Sequence, residues 1–364
     1  MGIDPWTHSI CKRFHPGSTM IRANELELSM SRKQASINDV AAEAGVSAAT
    51  VSRALRGFTN VAPSTRARVE TAAKRLHYRV NPAASQLARG RSSTVAMVVP
   101  DLDTWYFSSV MAGAEAVLTA NGYELAAFVV GDDVARERLT TSPMLRGAEG
   151  VILVDVDLDP AQVSTLVATS GPTATVGLEL DGVPSVVVDD VLAGHLATTH
   201  LLALGHSSIA LVGGGASGHL GFSVPAARRE GYLQALRDVS LAARPEFDVD
   251  GNFSIRGGYE AMSQLLTLDD VPTAVFAMSD EMAFGALKAM RDHGLSVPGD
   301  VSIVGVDDHP MAWVEDLTTI AQQVGDHGAL VAQVVLDLIE GRPISDRVEL
   351  RPSLVVRGST ARLA

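Results

Sequence analysis

Cysteine is almost absent: Cys11 is the one thiol in 364 residues. That excludes an intrachain disulfide framework and any Cys-rich zinc site, and it suits a reducing compartment. No apolar run approaches the roughly 18 residues of a membrane span. The first stretch, MGIDPWTHSICKRFHPGS, scatters its apolar residues and has no continuous hydrophobic segment of an export leader, so a cytoplasmic location is expected. Positive charge is also short. Against 42 Asp and Glu stand 29 Lys and Arg, a net charge of −13, which at first sight argues against a polyanionic partner.

The deficit is uneven. Residues 31–91 hold eleven Lys and Arg against Asp39, Glu43 and Glu70, a net of +8. Residues 1–30 cancel at three of each sign, so residues 92–364 carry −21. Phosphate binding follows local charge, and the acidic bulk conceals a basic head.

Within that head, INDVAAEAGVSAATVSRAL (37–55) reads as two short helices around one glycine. The first spans Ile37 to Ala44, with Val40 and Ala44 one turn apart. Gly45 accepts the positive φ of a helix end without a Cβ penalty, and Ser47 suits an N-cap. The second helix, Ser47 to Leu55, turns Val51 and Leu55 inward and leaves Ala48, Ala49, Thr50, Ser52, Arg53 and Arg56 outward. A short helix pair with Gly in the turn is the helix-turn-helix pattern, or equally an ordinary helical hairpin. A third helix is expected over Pro63–Leu76, with Val69, Ala73 and Leu76 on one stripe and Arg66, Arg68, Lys74 and Arg75 off it. Pro82 then opens a helix of one or two turns to about Arg89, too short to be stable alone. It is a plain linker or a hinge that folds only when held.

From Thr94 the pattern changes. TVAMVVP, YELAAFVV, EGVILVD, PTATVG, PSVVVDD, SIALVGG, TAVFAM and DVSIVGV are short β-branched runs separated mostly by amphipathic, helix-length stretches. Such alternation implies buried parallel strands in doubly wound sheets. Eight runs exceed one five- or six-stranded sheet, so two lobes with a cleft between them are expected. Ligands in open sheets bind beyond the carboxyl ends of the strands.

The hairpin, the basic third helix, NPAASQLARG and the tandem α/β core together resemble the LacI family of transcriptional regulators. The resemblance runs from residue 37 to about 358. DVAAEAGVSAATVSRAL matches the family's headpiece. DLDTWYF, HLLALGHSSIALVGG, ARREGY, SDEMAFGALKAMRDHGLSVPGDVSIVGVDD and LTTIAQQ follow in the family's order. The implied architecture is a small all-α helix-turn-helix DNA-binding domain joined by a hinge helix to an α/β core of two doubly wound parallel-sheet lobes. The boundaries read as a disordered extension over 1–35, the DNA-binding domain over 36–80, hinge and linker over 81–92 and the core over 93–364. Lobe one takes about 93–190 and 322–345, and lobe two about 191–321 and 346–364. Met20 and Met30 offer alternative starts.

The resemblance implies a homodimer, or a tetramer, that binds a palindromic double-stranded DNA operator. A small-molecule effector, often a sugar, controls it, and no cofactor is called for. By position Ser47, Thr50 and Ser52 would contact phosphates, and Arg53 a base edge or phosphate. Ala48 and Ala49 occupy the family's variable reading positions, where alanine can touch a thymine methyl but cannot hydrogen-bond. Arg53 and Arg56 would then carry more of the readout. Asn81 joins the DNA-contacting set, and Leu87 matches the hinge leucine that wedges into the minor groove. For the effector the resemblance points to Tyr106, Phe107, Arg228, Phe253, Asp307 and Gln322, although of two aromatics at a helix start at least one commonly joins the core. Asp280 either lines the cleft or caps its helix. Ser279 replaces a longer polar group, and Val176 and Gly177 fill a position where the family places a sugar contact.

Other signals fail. GGGASG (213–218) satisfies G-x-G-x-x-G, but no carboxylate follows at the spacing a dinucleotide site requires. His195 and His200 lie five apart and share no helix face, so no metal site is expected. No nucleophile–base pair emerges, which argues against an enzyme. A solute-binding transport component would share the core architecture, yet it would need export and have no use for residues 37–90.

Overall fold

The computed structural model describes residues 35–55, 58, 60–78, 92–156, 158, 160–214 and 223–363. The extension over 1–34, Arg56, Asn81 and Leu87 lie outside them. The described chain falls into two compact units that divide after Arg89.

The first unit is three helices, α1 (Ile37–Ala44), α2 (Ala48–Leu55) and α3 (Pro63–Arg75). Ser36 begins α1 with a capping box, its hydroxyl accepting from the Asp39 N–H and its own N–H donating to the Asp39 carboxylate. Gly45 ends α1 at φ 63°, a backbone value for which glycine has no steric cost. Val40, Ala44, Val51, Ala54, Val69, Ala72 and Ala73 form the core. Leu55 turns inward as expected, half-buried against this core, and Ala54 joins it fully buried. With eight residues, α2 presents Val51 and Ala54 three apart to its neighbours, and Leu55 falls at the margin.

The second unit holds two six-stranded sheets. The first has the order β2–β1–β3–β4–β5–β11 and is parallel throughout. Its strands are β1 (Thr94–Val99), β2 (Glu124–Val129), β3 (Gly150–Val154), β4 (Thr173–Val176), β5 (Ser185–Val188) and β11 (Arg347–Leu350). The second has the order β7–β6–β8–β9–β10–β12, with only β12 antiparallel. Its strands are β6 (Ile209–Gly213), β7 (Asp248–Asp250), β8 (Ala274–Ala277), β9 (Ser302–Asp307), β10 (Thr318–Ala321) and β12 (Ser353–Val355).

Both faces of the first sheet are covered. Val95, Met97 and Val99 point to one face, against α4 (Trp105–Ala120) and α13 (Val324–Ile339). Ala96 and Val98 point to the other, where Leu139, Leu145 and Leu166 come from α5 (Asp133–Thr141), α6 (Pro143–Arg146) and α7 (Pro160–Thr169). This two-residue alternation between two buried faces is why β1 reads as a continuous apolar run. The second sheet is flanked by α8 (Asp190–Ala203), α9 (Ser223–Asp238), α10 (Ile255–Leu265) and α11 (Asp280–Asp292), with the short α12 (Pro310–Val314) after β9.

Four strands escaped the sequence reading: β7, β10, β11 and β12. The lobe boundary near residue 346 is corrected with them. Residues 347–350 belong to the first sheet, where Arg347 to Leu350 register against Ser185 to Val188. The chain crosses to the second sheet only after Leu350. RVEL has the alternating, half-exposed character of an edge strand, so no apolar run announced it.

Candidate functional sites

In the head, Ser47 stands before α2 as its cap. Its Oγ accepts from the Thr50 N–H at 3.2 Å and pairs with the Thr50 hydroxyl at 2.9 Å. Ser47, Ala49 and Arg53 are exposed, and Ala48, Thr50 and Ser52 are half-buried. Ala48 also packs against the core of the head, so Ser47, Ala49 and Arg53 are the exposed members of the set. Much of the basic charge of α3 has internal work. Arg68 donates to the Ala44 carbonyl at the end of α1, Arg75 pairs with Glu43, and Arg66 donates to the Phe58 carbonyl at 2.6 Å. Arg68 and Arg75 thus tie α3 to α1, Arg66 ties it to the loop before it, and α2 supplies the exposed guanidinium of Arg53.

In the core, the carboxyl ends of both sheets converge on one buried polar cluster. Tyr106 lies in the first turn of α4 after β1, Asp155 follows β3, and Asp190 follows β5. Arg228 is on α9 after β6, Asp307 ends β9, Gln322 follows β10, and His327 lies in the first turns of α13. Two helix crossings bring them together. A Cβ on Gly194 of α8 would strike the Arg228 carbonyl, and one on Gly231 of α9 would strike that of Val191. This close approach sets Arg228 beside Asp190, with Nε to Oδ1 at 2.8 Å. Likewise Gly113 of α4 meets the Gly325 carbonyl, and Gly328 of α13 meets that of Val110. That crossing places the Tyr106 hydroxyl 3.3 Å from His327 Nδ1.

The remaining bonds fix orientation. Arg228 also donates Nη1 to the Met278 carbonyl, and Gln322 donates its amide to Asp307. His327 Nε2 donates to the Gln322 carbonyl at 2.6 Å. Burial pushes the His327 imidazole down to about 4, so the ring is neutral. Burial raises the Asp155 carboxyl to about 7, helped by the charge of Asp190 and opposed by the Tyr106 hydroxyl and Arg228. Burial also raises Asp307 well above the usual carboxylate range, against the pull of Arg228. Asp155 sits at φ 44°, Asp307 at φ 130° and Asp308 at φ 55°. Non-glycine residues in such conformations cost about 1–3 kcal/mol each and concentrate at functional sites.

Of the residues expected from the sequence, Tyr106, Arg228, Asp307 and Gln322 come together here. Phe253 stands beside Gly214 at the carboxyl end of β6, half-buried against the second core, at φ 45°. Two expectations are corrected. Phe107 is 5% exposed and belongs to the first-lobe core, because α4 turns it onto the sheet one position away from Tyr106. Asp280 does not line the cleft and does not cap α11, whose N-cap is Ser279. Its carboxylate accepts from the His309 N–H at 2.8 Å and the Thr319 hydroxyl at 2.6 Å, fastening the loop after β9. Asp155, Asp190 and His327 were missed. The carboxylates close the runs VILVD and VVVDD, so a carboxylate at a strand's carboxyl end was the available signal. Nothing around His327 offered one. Among the described residues no group of three or more His, Cys, Asp or Glu is placed to hold a metal ion, and no helix is long and apolar enough to cross a membrane.

A helix-turn-helix head and a two-lobed core with a polar cleft define a DNA-binding regulator rather than an enzyme. The chain belongs to the LacI family of bacterial transcriptional regulators. Residues 36–81 match the family model for bacterial regulatory proteins of the lacI family, and residues 198–360 match the periplasmic binding protein-like domain. The transcriptional repressor CytR of Escherichia coli K12 is 33% identical over 340 residues, covering 90% of this chain and 97% of that protein. A structure of the lac repressor dimer bound to operator and the anti-inducer ONPF aligns with a TM-score of 0.79 at 28% identity, over 90% of this chain and all of that one. A complex of the regulator CelR with cellobiose aligns at 0.66 and 30% identity, over 89% and 99% of the two chains. A transport component is disfavoured, since the regulatory-protein model covers the head that such a component would lack.

Proposed function

We propose that the protein is a cytoplasmic repressor that binds a palindromic operator as a homodimer and is switched by a sugar or sugar derivative. The DNA surface is Ser47, Ala48, Ala49, Thr50, Ser52 and Arg53. The effector pocket is the cluster of Tyr106, Asp155, Asp190, Arg228, Asp307 and Gln322. One observation carries this reading: Arg228, 4% exposed, is held by Asp190 and the Met278 carbonyl where both sheets end. Carboxylates, an amide, a phenol and a guanidinium facing one cleft suit a polyhydroxylated ligand that both donates and accepts hydrogen bonds. The sugar-bound relative CelR favours the same class.

The switch follows from linkage. A ligand shifts DNA affinity only if it binds two arrangements of the lobes unequally, typically by a coupling of about 1–3 kcal/mol. One head reads only a half-site, so lobe movement acts through the pairing of two heads. The decisive experiment is selection of genomic DNA fragments by the full chain. Recovery of one palindromic motif beside sugar-utilisation genes is the expected result, and sequence-independent recovery would overturn operator binding.

A further inference from the structure

The cleft contains more carboxyl groups than cations. Among the described residues, Asp155, Asp190 and Asp307 stand around Tyr106 against Arg228 alone. Arg228 commits its Nε to Asp190, and Gln322 occupies an oxygen of Asp307. Asp155 is 5% exposed, and its side-chain partner among the described residues is the Tyr106 hydroxyl. Beside it a Cβ on Gly177 would overlap the carboxylate itself, so the glycine there leaves the room that the Asp155 side chain fills.

The hydrogen-bond count sharpens this. His327 donates from Nε2 to Gln322, so its Nδ1 is an acceptor and calls on the one proton of the Tyr106 hydroxyl. The contact with an ionised Asp155 that would hold that carboxyl down therefore competes with His327 for the same proton. Within the protein alone, the consistent chain runs from a protonated Asp155 to the Tyr106 oxygen, and from the Tyr106 hydroxyl to His327. An ammonium group brought to Asp155 changes the count: the carboxyl ionises, accepts from the ammonium and releases its proton to solvent, while Tyr106 keeps its bond to His327.

The mouth of the cleft has the same character. A cavity of about 300 Å³ is lined by Trp105, Asp307, Asp308, Ala321, Gln323 and Asp326 among others, with no Lys or Arg. Arg357 is engaged by Asp308 at 2.6 Å. A phosphate or carboxylate entering here would be desolvated beside Asp307, Asp308 and Asp326, with Arg228 already shared with Asp190.

We propose that the effector is an amine-bearing sugar whose ammonium pairs with Asp155, and that phosphorylated and acidic sugars are rejected. This rests on the cleft being the effector pocket. The groups that face Asp155 are Tyr106 from α4, Asp190 from α8 and Arg228 from α9, with Asp307 of β9 and His327 of α13 beyond Tyr106.

Isothermal titration of the full chain tests it, using glucosamine, galactosamine, mannosamine and the β-1,4-linked glucosamine dimer. Each is run beside its neutral parent and its 6-phosphate, in two buffers of different ionisation heat. At least one amine should bind about tenfold tighter than its parent, the factor that one pKa unit represents. Its binding should release a proton, with affinity rising between about pH 6 and pH 7, and the 6-phosphate should not bind. Asp155→Asn should abolish both the preference for the amine and the proton release while keeping a cooperative melt. No binding by any amine, equal binding by the neutral parent, tighter binding by the phosphate, or a preference that survives Asp155→Asn overturns the proposal. A neutral sugar whose binding is lost in Arg228→Lys and Asp307→Asn would overturn only the amine and leave the pocket standing. Binding unchanged in those two variants would overturn both.

Discussion

Trp105, at the start of the first helix of lobe one, lies against His309 of lobe two, with ring centroids 4.5 Å apart. The Trp105 backbone N–H also points to the Glu281 carboxylate at 3.5 Å, and Phe284 packs edge-on against His309 at 5.3 Å. An aromatic contact thus bridges the lobes at the mouth of the cleft. Such a pair contributes about 0.5–1.5 kcal/mol beyond its buried area. Trp105→Ala should weaken effector binding by up to about tenfold and leave operator binding without effector intact. Titration calorimetry beside a gel-shift assay checks both; unchanged effector affinity would remove the bridge from the switch.

Arg228→Ala should abolish the effector response, but it leaves Asp190 buried without its cation. Breaking a buried pair in this way costs about 3–5 kcal/mol, so the variant should also melt earlier. The double variant Arg228→Met with Asp190→Asn should regain much of that stability and bind operator, yet still ignore the effector. Melting curves separate the structural loss from the functional one.

The pH dependence of stability has a defined sign. Asp155 is raised from about 3.8 unfolded to about 7 folded, chiefly by burial, so between those values the folded state holds more protons. Stability therefore falls as pH rises from about 4 to about 7 and this contribution levels off above it. Asp280, also raised to about 7 by burial, adds to the same slope. Asp155→Asn should flatten its share of the slope, read from melting temperatures across that window. A slope equal to the parent's would place an ionised carboxylate at Asp155.

Arg53 is the exposed guanidinium of α2. Arg53→Ala should weaken operator binding and relax sequence preference, since a bidentate base contact discriminates by about 1–3 kcal/mol. Titration on operator and scrambled duplexes decides between roles. Equal small losses on both would make Arg53 a phosphate contact.

Met311, Trp313 and Val314 are exposed around α12, Trp313 at 77%. So much apolar surface in one short segment suits an interface, and the proposed homodimer would supply a second copy of this chain to cover it. Trp313→Arg should raise the dimer dissociation constant in sedimentation equilibrium and reduce operator affinity at low protein concentration.

Much of this was legible in the residues themselves. The helices of the head follow from capping and apolar spacing, and α1 occupies the span that Ser36, the apolar stripe and Gly45 dictate. The alternation of β-branched runs with helical stretches implied two parallel-sheet lobes, because a strand buried on both faces has little choice of composition. Tyr106, Arg228, Asp307 and Gln322 were accessible through motif and position. What only the tertiary structure decided is which polar groups are buried together. Asp280 and Asp155 each follow a strand, yet one fastens a loop and the other faces Tyr106. The difference lies in Thr319 and His309 on one side and Gly177 on the other, brought up by separate strands and loops. Phe107 and Tyr106 adjoin in sequence and part by one helical step. Strand β11 is a strand only because β5 offers it an edge. Local sequence sets the conformation of a segment, but the charge state and partner of a buried group depend on what distant segments pack against it.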